Sequence, residues 1–247
     1  MQRINTHVYE AAAAIGVKSP DLAVFLERQY GQCAEDLIVV SMLRAWQQRT
    51  GADLASLRYL EIGANHPIAT SATYLLNQVL GMRGVLVEAN PALIDDLRRV
   101  RPDDVVIHAA VQVQDVETVR LALAYASEIS SLDPAFVAGW AGGVVDARRT
   151  IEVPAMRIAQ VIETHLHGAS PVFLSIDVEG LDLEVLLDLD LRRYRPVLLQ
   201  IEPSDQHHPG RSDQMRSHLA QLGYWLAAVT DVNLIFIDGD AMGGAGP

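Results

Sequence analysis

Two short strings of this chain carry residues that could do chemistry together. Tyr59-Leu60-Glu61-Ile62-Gly63-Ala64-Asn65 is an apolar run that ends in a glycine, and Gly84-Val85-Leu86-Val87-Glu88 is a second run that ends in a carboxylate, followed by Ala89-Asn90-Pro91. The interval between them fits one crossover helix. A glycine where the first run stops lets a ligand approach the backbone closely, since no Cβ stands in the way. A carboxylate at the second tip suits a ribose, because an ionised Glu offers only acceptors and a ribose offers two hydroxyl donors. Together the tips describe a nucleoside pocket. Glu88 could instead be no more than a favourable charge at a helix N-terminus, but its spacing after Gly63 favours the ribose.

A second group of acids lies further along. Asp177 and Glu179 follow Phe173-Leu174-Ser175-Ile176, and Glu202 follows Leu198-Leu199-Gln200-Ile201, with Asp205, His207 and His208 close behind. Carboxylates at strand ends sit at the carboxyl edge of an open α/β sheet, where ligands bind. There a carboxylate can align an attacking hydroxyl and take its proton as a general base. We favour Asp177 for that task over Glu179 and Glu202. His207 and His208 are rival bases, since imidazole titrates near neutral pH. Asp177 and Glu202 could also share a hard divalent cation, although loop carboxylates are more often merely solvated and a metal is the minor reading. His66 reads as a loop residue shaping the first pocket.

These residues need a scaffold that brings strand tips together. From residue 57 apolar runs alternate with helical patterns, which argues for βαβ units and a mainly parallel sheet. Strands are expected near 58–62, 84–88, 105–108, 172–176, 196–201, 224–229 and 233–237, with helices near 70–80, 91–99, 157–166, 181–188 and 212–222. The last two strands are only a few residues apart and read as an antiparallel hairpin. Five parallel strands followed by such a hairpin is the pattern of the class I methyltransferase sheet, whereas a dinucleotide-binding sheet usually continues in parallel. The turn after the first run has Gly63 alone and lacks the G-x-G-x-x-G that seats a pyrophosphate, which counts against a nicotinamide-dependent oxidoreductase.

Two regions stand outside the alternation. Residues 1–55 read as an N-terminal helical extension, with one helix opening at Ser19-Pro20-Asp21 and another over 34–48. Leu37, Val40, Leu43 and Ala45 give the latter an apolar face for the domain or for a second copy of the chain, with core packing preferred. Residues 56–247 then form the ligand-binding domain, and 112–156 is an insertion expected to carry a strand or two and, around Gly139 to Gly143, a lid.

Composition sets the outer limits. The chain has 247 residues, half of them apolar, enough for one large domain with a buried core. Its formal charge of −12 argues against a nucleic-acid partner. The single cysteine, Cys33, rules out an internal disulfide and any multi-cysteine zinc site, which fits a reducing cytoplasm. No stretch reaches the roughly 18 apolar residues of a membrane span.

Several ordered strings resemble a known family. Leu60-Glu61-Ile62-Gly63-Ala64-Asn65, Val87-Glu88-Ala89-Asn90-Pro91, Ala109-Ala110-Val111, Ser130-Ser131-Leu132 and Ser175-Ile176-Asp177-Val178-Glu179-Gly180 are similar to the FkbM family of S-adenosylmethionine-dependent methyltransferases. Tyr30-Gly31-Gln32 and Glu35-Asp36-Leu37 resemble that family's N-terminal segment. The resemblance implies a Rossmann-like class I methyltransferase fold, S-adenosylmethionine as cofactor, and transfer to a hydroxyl of a sugar in a glycan, glycolipid or natural product. It places Glu61, Gly63, Ala64 and Asn65 beside the methionine part of the cofactor, Glu88 on the ribose, and Ala89 and Asn90 beside the adenine. Thr73 and Ala110 are weaker candidates for the first helix and the adenine wall, and Asp177 touches the cofactor as well as the acceptor. His66-Pro67 departs from the small residue and glycine that many members have there. A polyketide or macrolide hydroxyl is the runner-up acceptor, and a catalytically silent nucleoside-binding module is the reading from another class.

Overall fold

The computed structural model describes residues 29–123 and 149–243. The expected helix at Ser19-Pro20-Asp21, the Ser130-Ser131-Leu132 string and the glycine-rich lid lie outside the described residues.

The chain enters through α1 (Glu35–Thr50), whose N-terminal turn carries Glu35 and Asp36 and whose last turn is closed by Gly51 in a left-handed conformation. Its apolar face, Val39, Val40 and Leu43, packs into the same core as Tyr59, Leu75, Leu76 and Leu80. That face covers the domain itself, as core packing predicted.

The expected alternation follows: β1 (Arg58–Ile62), α2 (Tyr74–Leu80), β2 (Arg83–Glu88), α3 (Pro91–Val100) and β3 (Val105–His108). The short β4 (Ala110–Val111), β5 (Thr118–Leu123) and β6 (Arg149–Met156) come next. The chain closes with α4 (Ile158–His165), β7 (Phe173–Ile176), α5 (Asp182–Asp188), β8 (Leu198–Ile201), α6 (Arg211–Gln221), β9 (Tyr224–Val229) and β10 (Leu234–Asp238).

Seven strands form one sheet in the order β3-β2-β1-β7-β8-β10-β9. The first five are parallel, while β10 runs antiparallel to both β8 and β9. Parallel strands buried on both faces need continuous apolar runs, and Leu60, Ile62, Val85, Val87, Leu174, Ile176, Leu199 and Ile201 share one core cluster. Tyr59, Leu86, Phe173, Leu198 and Ile235 belong to the cluster on the other face. Among the described residues no helix is long and apolar enough to cross a membrane.

Two local differences bear on the site. A helix was expected from residue 70, but α2 begins at Tyr74 because Ser71 and Thr73 turn their hydroxyls toward Glu61. A second sheet of three strands, β4-β6-β5, stands beside the main one, with β5 and β6 antiparallel over six residue pairs.

Candidate active site

Strand register assembles the site. Glu61 on β1, Ser175 on β7 and Gln200 on β8 are aligned across three parallel strands. Two residues further on, where side chains return to the same face, stand Gly63, Asp177 and Glu202. Asp177 N–H donates to Ile62 O at 3.1 Å and Glu202 N–H to Ile176 O at 3.3 Å, so the ladder holds all three tips in a row. A Cβ built on Gly63, whose φ is +78°, would overlap the carbonyl oxygen of Asp177. The glycine is thus dictated by the neighbouring strand as well as by any ligand.

Glu88 closes one side of the cleft above this row. Its carboxylate accepts from Asn65 N at 2.8 Å and from Asn90 N at 2.6 Å, tying the turn after β1 to the start of α3. Asn90 itself caps α3 by accepting from Ala92 N. Burial pushes Glu88 above the ordinary carboxylate range, although the amides of Asn90 and Asn65 pull the other way. Each of its oxygens has one amide donor and room for a second, which leaves acceptor capacity for a diol.

Glu61 serves the fold first. Buried on β1, it accepts from Ala72 N at 2.7 Å, from Ser71 Oγ and from Thr73 Oγ1. Arg101 donates to Thr73 Oγ1 at 2.9 Å, to the Tyr59 hydroxyl at 2.8 Å and to Asp104 at 2.8 Å. Glu61 and Thr73 thus meet each other and hold loop 71–73, and Glu61 also lines the small cavity beyond Gly63. Ala64 is likewise buried, its N–H donating to Val87 O at 3.0 Å. His66 is exposed and braces its own loop, its Nδ1 accepting from Ile68 N at 3.1 Å and Ala69 N at 2.9 Å.

A cleft open to solvent lies above the row. Gly63, Asn65, Glu88 and Ala89 line one part, and Ala110 and Leu121 form an apolar wall. Leu121 comes from β5, and neither periodicity nor motif pointed to it. A smaller polar cavity beyond Gly63 is lined by Gln32, Glu35, Asp177, Gln200 and Asn233. Three buried oxygens on these two linings have no hydrogen-bond partner: Asn65 Oδ1, Asp177 Oδ1 and Gln200 Oε1. All three are acceptors, so the group that satisfies them must bring donors.

Asp177, Glu179 and Glu202 meet at the far end, each with a carboxylate oxygen within 4.8 Å of the others. Glu179 joins the pair through a left-handed turn, with φ of +54°, followed by Gly180. The turn is held by Asp182, which accepts from Val178 N at 2.8 Å and Gly180 N at 3.1 Å. Burial, then the charges of Glu202, Glu179 and Asp182, push Asp177 well above the usual carboxylate range. Burial and the charge of Asp182 push Glu202 up to about 7, against the opposing effect of its hydrogen bond to Asp177. Such a pair holds a proton between its members.

A second cleft opens beyond these acids, lined by Glu179, Glu202, Ser204, His207, Arg216 and the turn between β9 and β10. His207 N–H donates to Ser204 O at 3.0 Å within this wall. Sequence reasoning also missed Glu35, a buried acid on α1 that accepts from Thr230 Oγ1 at 2.8 Å, Cys33 N at 2.8 Å and Asn233 Nδ2 at 3.4 Å. Sequence reasoning assigned neither Glu35 nor Arg101 a role at the site, because Thr230 and Asn233 for the one and Tyr59 and Thr73 for the other lie far away in the chain.

The seven-stranded order with its antiparallel end, and a donor-seeking cleft at the carboxyl edge of β1 and β2, define a class I methyltransferase domain. The Methyltransferase FkbM domain model matches residues 61–226, and the chain belongs to that family. It is an S-adenosylmethionine-dependent methyltransferase. The cofactor fits the unpartnered acceptors, since it carries an ammonium, a ribose diol and an adenine amino group.

Similar solved structures include an O-methyltransferase from Bacillus cereus in complex with SAH, 14% identical, covering 94% of this chain and 88% of that one with a TM-score of 0.41. The N-terminal domain of human METTL16 in complex with SAH is 10% identical over 85% of this chain and 72% of that one, TM-score 0.45. Aeropyrum pernix fibrillarin with natively bound S-adenosyl-L-methionine is 14% identical over 78% and 72%, TM-score 0.40. No curated protein matches the chain.

Proposed function

We propose that this methyltransferase transfers its methyl to a hydroxyl of a sugar. The supporting observation is the junction of the two clefts: Glu179 lines both, Asp177 lines the first and Glu202 the second. An acceptor arriving from the second cleft therefore meets carboxylates at the point of transfer. A hydroxyl must lose its proton as it attacks, and a carboxylate accepts it.

S-adenosylmethionine supplies a sulfonium methyl that is open to in-line displacement. With the cofactor bound, Glu88 would hold the ribose diol, Ala110 and Leu121 would wall the adenine, and Gly63 would leave the backbone accessible. Asp177 would take the hydroxyl proton at Oδ1 and share it with Glu202, the O–H bond breaking as the acceptor oxygen bonds to the methyl and the S–CH₃ bond breaks to release S-adenosylhomocysteine. His207 lies in the same wall as the rival base. Polar side chains including Gln206, His207, Ser212, Thr230 and Asn233 line the second cleft beside the apolar Pro203, Val229, Val232 and Leu234, and these hydrogen-bonding groups favour a sugar over a polyketide.

A second reading has its own observation. Three carboxylate oxygens within 4.8 Å of one another form the ligand set that a hard divalent cation takes. Asp177, Glu179 and Glu202 would then orient two adjacent sugar hydroxyls through the cation.

Mass spectrometry of glycans and small metabolites from a strain lacking this chain tests the function. One missing sugar O-methyl is expected; a full set of sugar methyls with a methyl lost elsewhere refutes the acceptor.

A further inference from the structure

The second cleft contains donors that the protein itself leaves unused. Five of the described arginines that are partly or wholly buried reach a carboxylate: Arg83 with Asp103, Arg101 with Asp104, Arg157 with Asp188, Arg195 with Asp238 and Arg211 with Glu184. Arg216, on the face of α6 toward this cleft, has no such partner among the described residues, and its Nε–H is buried with no acceptor. Ser204, 8% exposed, lines the same cleft with its Oγ buried and unpartnered. It is held at φ +50°, a left-handed conformation that a serine adopts only when its surroundings enforce it.

The polarity of these atoms is opposite to that of the cofactor side. There the unpartnered atoms are Asn65 Oδ1, Asp177 Oδ1 and Gln200 Oε1, all acceptors. Here a guanidinium N–H, which can only donate, stands with a hydroxyl that can donate. A buried donor without an acceptor is costly, and a group from outside that restores the bond recovers that cost. Four acids line the same cleft, Glu179, Glu202, Asp205 and Asp231, and none of them accepts from Arg216 Nε: Asp205 is engaged by Ser212 N at 3.0 Å at the start of α6, and Glu202 is bonded to Asp177.

We infer that the second cleft takes an acceptor bearing an anionic group, a carboxylate or a phosphate, whose oxygens bind Arg216 and Ser204. A guanidinium fork matches both groups in plane and spacing. The acceptor would then lie between two anchors of opposite kind, its anionic end on Arg216 and its reacting hydroxyl among Asp177, Glu179 and Glu202. The inference rests on the reading of this cleft as the acceptor's.

The test uses the full chain with glucose, glucuronate and glucose 1-phosphate. Methyl transfer is followed as S-adenosylhomocysteine release, and binding by calorimetry with S-adenosylhomocysteine present. One of the two acidic sugars is expected to exceed glucose in kcat/KM by ten- to a hundredfold, the scale of a charge-assisted pair. Which one does so separates a carboxylate from a phosphate. Arg216→Gln should remove the preference, Arg216→Lys should restore part of it, and Ser204→Ala should weaken it. An unchanged Kd for S-adenosylhomocysteine shows that each variant is folded. Equal use of glucose, or a preference that survives Arg216→Gln, overturns the inference. If no sugar is methylated yet the acidic ones bind and Arg216→Gln abolishes that binding, the anion site stands and the sugar-methylation reading falls. Binding that Arg216→Gln leaves intact overturns the anion site.

Discussion

The carbonyl oxygen of Asp177 occupies the space into which any side chain on Gly63 would have to grow. The two residues follow the tips of β1 and β7, so the turns after these strands are fitted to each other before a ligand enters.

Gly63→Ala meets both this overlap and a φ of +78°. Left-handed backbone costs an alanine about 1 kcal/mol and overpacking a further 1–3 kcal/mol. Thermal unfolding should fall by roughly 5–15 °C, with cofactor affinity reduced alongside. A Tm within about 2 °C of the parent would show that the strands can part without consequence.

Glu88→Ala removes the ribose acceptors and also releases Asn65 N–H and Asn90 N–H. Calorimetry should show S-adenosylmethionine affinity weakened by about ten- to a hundredfold. Unchanged affinity takes Glu88 out of the site.

Asp177→Asn keeps the size of the side chain and removes its basicity. Turnover should drop by at least about a hundredfold, the lower end of general-base catalysis, while circular dichroism stays that of the parent. Near-normal turnover would move the base to His207.

The pH dependence follows from the raised acids. Glu202, pushed up to about 7, and Asp177 must lose their shared proton before they can take one from an acceptor. Turnover should rise as pH increases through about 7 and then level off, and a profile flat from pH 6 to 8 would exclude the pair. Stability moves the other way. The folded state holds these protons at a pH where the unfolded chain has released them, so stability is greatest at the acid end of the window from the ordinary carboxylate range up to about 7 and declines as pH rises through it.

Chelation separates the two readings of the acid cluster. If Asp177, Glu179 and Glu202 act without a cation, EDTA leaves the rate unchanged. A rate that collapses with EDTA and returns with Mg²⁺ or Mn²⁺ establishes the cation reading.

The main sheet was legible because each of its strands is a short apolar run set off by a helical pattern, and runs such as Leu198-Leu199-Gln200-Ile201 leave little choice. The tips were legible too, since Gly63, Glu88 and Asp177 stand where those runs stop. What local pattern could not reveal was direction. Glu61 looks like a ligand from its neighbours in sequence, and only the fold brings Ser71, Thr73 and the distant Arg101 around it. Arg216 sits in a helix of mixed charge, where sequence cannot distinguish a solvated arginine from one facing a cleft. Residues 112–156 were expected to carry a strand or two, which β5 and β6 supply, but their pairing could not be read because they are far apart in the chain.

Glu35 joins Cys33 near the start of the fold to Thr230 and Asn233 near its end, and with Asn233 it lines the small cavity beyond Gly63. Synthesis runs from the N-terminus, so a nascent chain that has reached β8 already has Glu88, Ala110 and Asp177 yet lacks that last wall. A chain truncated before β9 would therefore keep Glu88, Ala110 and Asp177 and still lack Asn233 on the wall of that cavity.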